Sequence, residues 1–108
     1  MNAQLSECIN NYFEASNTID VVRFKDCFTA DAIVIDEGST YLGPVAIGSW
    51  FEETRLKYEF SVTPITSTQE VDYVTVVAQV SGNFPGSPIQ LRYAFELKGS
   101  KIQSLKIH

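Results

Sequence analysis

Few side chains in this sequence have the type and placement that chemistry requires. The only histidine is His108, so neither Cys8 nor Cys27 has a general base for nucleophilic catalysis. Both cysteines stand beside large apolar residues in helical patterns and read as buried, reduced thiols acting as small hydrophobes. No Cys, His or acidic cluster has the spacing of zinc ligands, and no cofactor is implied. A Gly-rich phosphate loop and a serine nucleophile elbow are missing too. Asp36 directly follows the apolar run Ala32-Ile33-Val34-Ile35, and Tyr12 and Tyr93 lie inside apolar patterns, whereas Glu52-Glu53 reads as an exposed helix face. A carboxylate in a partly dry pocket can take a proton and return it. Neutral phenols can donate hydrogen bonds to a developing oxyanion. Plainer readings stand beside these. Tyr12 can be a core residue with its hydroxyl bonded locally. Asp36 shares parity with Ala32 and Val34, so a cavity faced by Ile33 and Ile35 would leave it in solvent unless a bend reorients it.

The elements that must position these groups are legible in the hydrophobic pattern. Leu5, Cys8, Ile9, Tyr12 and Phe13 recur at spacings of three and four, which predicts an amphipathic helix near residues 3–17. Asp20 suits the N-cap of a shorter helix marked by Val21, Phe24, Cys27 and Phe28. Ala32 to Ile35 reads as a strand, with a turn at Glu37-Gly38-Ser39 and a short return at Thr40-Tyr41-Leu42. Asp31 should order the turn between helix and strand. Gly43-Pro44 opens a third helix whose stripe is Ile47, Trp50, Phe51 and Tyr58.

From Phe60 onward the pattern alternates. Pro64 implies a bulge or an edge in the first of these strands. The next carries Val74, Val76, Ala78 and Val80, and the clearest carries Ile89, Leu91, Tyr93, Phe95 and Leu97. Gly99-Ser100 fits a two-residue hairpin turn, and broken alternation near Gln103-Ser104 implies a bulge that curves the sheet. Helices first and strands afterwards describe an α+β domain, helices across one face of a bent sheet. Three helices cannot cover the long strands completely. The concave side should therefore keep a cavity lined by Trp50, Phe51, Val76, Leu91, Tyr93 and Phe95.

At 108 residues the chain is expected to be one domain over residues 1–108, and 44% hydrophobic against 19% charged residues suit a globular fold. A net charge of −5 with eight scattered basic residues argues against nucleic acid and against anionic membrane surfaces. No apolar run approaches the roughly 20 residues that span a bilayer. The start, Met1-Asn2-Ala3-Gln4, lacks the features of a secretory signal, so a cytoplasmic location is expected. The outward face of the late strands (Thr75, Val77, Gln79, Ser81, Gln90, Arg92, Ala94) is small and uncharged apart from Arg92. It suits a homodimer formed across a two-fold axis.

Three stretches carry a family likeness: Tyr12-Phe13, then Phe28-Thr29-Ala30-Asp31-Ala32, then Gly43-Pro44-Val45-Ala46-Ile47-Gly48-Ser49-Trp50-Phe51. With this order of elements the chain resembles the nuclear-transport-factor-2-like, or SnoaL-like, superfamily over nearly its whole length. The resemblance implies a cone-shaped α+β barrel, three N-terminal helices on a strongly curved, mainly antiparallel mixed sheet, and it favours a homodimer. It says little about activity, since this scaffold hosts isomerases, cyclases, hydrolases, dehydratases and binding modules.

The nearest catalytic pattern is that of steroid delta-isomerase. Tyr12 and Asp36 fall where those enzymes carry a helix tyrosine and an aspartate base, 24 residues apart as in that family. Tyr93 falls at the position of a protonated aspartate, a departure from the pattern. The resemblance thus implies Asp36 as base, Tyr12 and Tyr93 as oxyanion donors, and a small apolar, carbonyl-bearing ligand. Arg92 has outward parity, against the Asp-Arg-Asp arrangement of epoxide-hydrolase relatives. A cyclase-like role for Asp36 would need His108 folded into the cavity. The rival readings are a non-catalytic binding module and a dimeric interaction protein that works through its sheet face.

Overall fold

The computed structural model describes residues 6–108. The expected helix start at residue 3 and Leu5 of its stripe lie outside the described residues. The chain runs α1 (Glu7–Thr18), α2 (Val21–Asp26), β1 (Phe28–Asp36), β2 (Ser39–Leu42), α3 (Gly43–Lys57), β3 (Phe60–Glu70), β4 (Tyr73–Gly82), β5 (Ile89–Lys98) and β6 (Lys101–Ile107). The six strands form one sheet in the order β2-β1-β6-β5-β4-β3. Every pairing is antiparallel except β1 with β6, which run parallel. The three helices pack on one face of this curved sheet, as a cone-shaped α+β barrel requires. No helix among the described residues is long and apolar enough to cross a membrane.

Local chemistry sets the element ends. The Asp20 side chain accepts from the Arg23 amide at 3.1 Å and caps α2. Gly43 takes a φ of 79°, a left-handed value that costs glycine little, and so turns β2 into α3. Asn17, near the end of α1, clamps β3: its amide donates to the Val62 carbonyl and accepts from the Val62 amide, both at 2.8 Å.

Two bulges give the sheet its curvature. Pro64 brings no N–H to the ladder, and the β3–β4 register slips between Pro64 and Thr66. Pro64 is also on an edge strand, so both expectations for it hold. In β6, Ser104 faces Glu96 while Ile102 faces Leu97, which leaves Gln103 unmatched. The β1 side skips the same residue, pairing Phe28 with Ile102 and Ile33 with Ser104.

Two boundaries differ from the expectation, both through a partner distant in sequence. The Ile102 amide donates to the Cys27 carbonyl at 2.8 Å and Phe28 pairs with Ile102, so the helix stops early and β1 starts at Phe28. Asp31 consequently belongs to β1 and orders no turn. It is exposed, and hydrogen bonds led by the Thr29 hydroxyl (3.1 Å) hold its carboxyl below the usual range. Strand β3 continues to Glu70 because β4 pairs with it to the end.

The core joins the helices to the concave face. Ile9, Phe24, Ile47, Phe95 and Leu105 are buried, and the Phe24 and Phe51 rings stack with centroids 4.0 Å apart. Each such side chain contributes about 1.5–3 kcal/mol from burial. Cys8 and Cys27 are buried free thiols, and burial raises Cys27 to about 11. Both behave as the small hydrophobes their neighbours suggested.

Candidate functional site

Between the helices and the concave face lies a cavity of about 590 Å³, well within the size range of small-molecule sites. Its wall is largely aromatic, including Phe24, Tyr41, Trp50, Phe51, Phe60 and Phe84. Polar side chains, carboxylates and hydroxyls among them, share that wall.

Asp36 is one of them. The fully buried residues of β1 are Ala32 and Val34, whereas Ile33 and Ile35 are only partly covered. The inward parity is therefore that of Ala32 and Val34, which Asp36 shares, and no bend is needed to bring it to the cavity. Helix α3 meets it there, with the Trp50 indole Nε1 donating to Asp36 Oδ2 at 3.2 Å. Burial raises the Asp36 carboxyl above its ordinary value, against the opposing pull of the Trp50 hydrogen bond. The result is a half-buried carboxylate, held by one neutral donor.

Tyr12 from α1 and Tyr93 from β5 also reach the cavity, as do Ser16, Thr54 and the exposed Glu37, Glu53 and Lys57. Both tyrosines are buried apart from their cavity-facing surface, with ring centroids 6.2 Å apart. Among the described residues neither hydroxyl has a protein hydrogen-bond partner, so both stay available to a ligand. Burial pushes both phenols well above the usual tyrosine range, and the nearby Asp36 charge adds to this. They remain neutral donors at any physiological pH.

A cation stands behind this wall. Arg55 of α3 donates from Nη2 to the Ser16 hydroxyl at 2.8 Å and from Nη1 to the Phe60 carbonyl. Its guanidinium carbon lies 3.8 Å from the Phe60 ring centroid, a cation–π contact. Sequence reasoning singles out neither Ser16 nor Arg55. The available signal is helical spacing: Ser16 falls four residues after Tyr12, and Arg55 four after Phe51.

Of the residues expected to line the cavity, Trp50, Phe51, Leu91 and Tyr93 do so. Val76 and Phe95 do not; both are fully buried in the core. The reason for Phe95 is visible: the Tyr12 and Phe13 rings cover it, at 5.4 and 6.0 Å. Val76 pairs with Tyr93, whose larger side chain reaches the cavity where valine does not. Arg92 is exposed, and His108 is held at the sheet by backbone bonds to Arg92 (2.8 and 3.0 Å), away from the cavity wall.

Comparison with known proteins agrees with this fold. The family model of the SnoaL-like domain matches residues 9–102. A Sinorhizobium meliloti protein bearing the provisional name polyketide cyclase is 38% identical, with a TM-score of 0.94 over 96% of this chain and 95% of that one. A Catenulispora acidiphila protein with a ketosteroid-isomerase-like fold, solved with trimethylamine, is 22% identical with a TM-score of 0.86, covering 97% of this chain and 86% of that one. A Cytophaga hutchinsonii protein of the nuclear-transport-factor-2-like fold, of unknown function, is 17% identical with a TM-score of 0.80 over 100% and 93% of the two chains. The latter two share the fold alone. No curated protein matches the chain.

Proposed function

The chain belongs to the SnoaL-like domain family, and on that premise we propose that it binds a small, largely apolar, carbonyl-bearing molecule and moves a proton beside the carbonyl. One observation carries the reading. A half-buried carboxylate, Asp36, opens onto the same aromatic cavity as two unspent phenols, Tyr12 and Tyr93.

The chemistry balances with these groups alone. An oxygen of the Asp36 carboxylate takes the proton from the carbon next to the carbonyl. The electron pair of that C–H bond becomes a C=C bond, and the carbonyl electrons move onto oxygen. Tyr12 and Tyr93 donate hydrogen bonds to this enolate oxygen without giving up their protons, which their high pKa values favour. The protonated Asp36 then returns the proton at a different carbon, and the double bond ends in conjugation. A partly desolvated carboxyl with a raised pKa is a stronger base than one in water. A cyclase-type reaction would begin with the same abstraction, and the Sinorhizobium relative's name fits that variant. His108, at the end of the interior strand β6 and outside the cavity wall, is not placed to assist it.

A homodimer through the outer face of β4 and β5 belongs to the same proposal. Thr75, Val77 and Ala94 are partly exposed there without charge, with Arg92 directly opposite Val77. A cytoplasmic location also belongs to it, supported by the two free, buried thiols.

The test combines carbon-13 NMR of the Asp36 carboxyl, assigned with Asp36→Asn, with an absorbance assay for conversion of a β,γ-unsaturated steroid ketone to its conjugated isomer. Conversion that Asp36→Asn abolishes supports the proposal. A ligand that perturbs Asp36 with no conversion in the parent protein leaves a binding module. An Asp36 resonance that titrates normally and ignores the ketone refutes proton transfer at this cavity.

A further inference from the structure

Arg55 is a cation without a counter-anion. Among the described residues the ion pairs are Arg23 with Glu14 and Lys101 with Asp26, so no carboxylate neutralises Arg55. Its Nε is sealed from solvent and hydrogen-bonds to nothing, the one buried side-chain polar atom among the described residues left so. Two hydrogen bonds and a cation–π contact offset only part of the cost of covering this charge, and a buried donor left unpaired is a cost that persists in folded proteins mainly where function uses it. Every group the guanidinium touches, Ser16, Phe51 and Phe60, also lines the cavity. Tyr12 and Tyr93 lie within its electrostatic reach as well.

We propose that Arg55 is the electrostatic positioning residue of the cavity, selecting ligands that bear or develop a negative charge on oxygen at the wall formed by Tyr12, Tyr93 and Ser16. The inference rests on the reading that these phenols face the ligand's oxygen. Arg55 does not touch the ligand; it acts through the hydroxyls in front of it. Where the isomerase pattern has an acidic donor, this chain has the Tyr93 phenol, a weaker acid. A fixed positive charge behind the phenols restores oxyanion stabilisation without adding a group that could protonate the enolate. Burial depresses the Arg55 pKa, but a guanidinium stays charged across the working range, so the field does not switch with pH.

Direct titration of 4-nitrophenol, whose phenol and phenolate absorb differently, tests this without any knowledge of the natural ligand. The protein is expected to bind the phenolate in preference to the phenol, lowering the apparent pKa of the bound probe. Arg55→Met should weaken phenolate binding about tenfold, a shift of about one pH unit, while phenol affinity changes less than twofold. Arg55→Lys, which keeps the charge, should retain most of the preference, and circular dichroism melting confirms that each variant folds. Equal phenolate affinity in the parent and Arg55→Met overturns the inference, as does a cavity that binds neither form. A phenolate preference lost in Arg55→Met, in a parent that converts no ketone, sustains the role of Arg55 and removes only the catalytic reading.

Discussion

The Trp50 indole and the Asp36 carboxylate meet across 3.2 Å, joining helix α3 to the end of strand β1 at the cavity wall. The bond holds Asp36 in place and limits how far burial can raise its pKa. Trp50→Phe keeps a ring against Tyr41, whose centroid lies 5.7 Å from the indole, but removes the donor. The Asp36 pKa should rise further in this variant, read from the carboxyl carbon-13 shift. An unchanged titration would mean the hydrogen bond is not formed in solution.

The sign of the pH dependence follows from the same carboxyl. Burial raises Asp36 above its ordinary value of 3.8, so the folded chain holds this proton more tightly than the unfolded chain does. The charged form therefore costs stability above the folded pKa, and the cost vanishes as pH falls below the unfolded value. Asp36→Asn should be more stable than the parent at neutral pH, with the difference closing on acidification. Urea unfolding at a series of pH values measures this; a gap that widens towards acid refutes it. Turnover should rise with pH as Asp36 ionises, with its inflection above the usual carboxylate range.

Tyr12→Phe and Tyr93→Phe each remove one hydroxyl from the cavity wall and leave the ring in place. If both phenols hold the enolate oxygen, either change lowers kcat on a β,γ-unsaturated ketone by roughly 100-fold. Stability should move little, because neither hydroxyl is bonded within the protein. A variant that turns over normally shows that its tyrosine is only part of the wall.

The Asn17 clamp is a structural feature remote from the chemistry. Asn17→Ala removes two hydrogen bonds to Val62 and leaves that residue's amide unpaired near the edge of the sheet. A loss of about 2 kcal/mol is expected, measured by urea unfolding, with Asp36 titrating as before. A loss below a few tenths of a kcal/mol would show that water replaces the clamp.

Val77→Arg places a second cation beside Arg92, its cross-strand partner on the outer face of β5. If that face meets its own copy, like charges across the two-fold axis should convert a dimer into a monomer, read by light scattering after size exclusion. A parent that is already monomeric rules out the dimer.

Much of this was readable from pattern, because the strong periodicities belong to residues whose burial is local. The alternation of Leu91, Tyr93 and Phe95 and the stripe of Ile47, Trp50 and Phe51 announce their elements, and Tyr93, Trp50 and Phe51 also reach the cavity. Parity fixed the inward face of β5 but could not tell Phe95, capped by Tyr12 and Phe13, from Tyr93, which is long enough to pass them. For Asp36 parity gave the right set of neighbours, Ala32 and Val34, without saying which set faced inward. That depended on β6, the parallel neighbour more than sixty residues away in sequence. Arg55 was invisible for a different reason: a charged residue on a helix ordinarily marks the solvated face, and only three-dimensional packing shows it wedged between Ser16 and Phe60.

The parallel pairing of β1 with β6 also orders events in time. Strand β6 sits between β1 and β5, so within the sheet the strand carrying Asp36 and the strand carrying Tyr93 are joined only through it. A ribosome must have released Lys101–Ile107 before that seam can close. Until then β1 has only the short β2 as a strand partner, and its other edge stays unpaired and able to recruit foreign strands. Such non-local closure slows folding, so the cavity's two walls meet late in the folding of this domain.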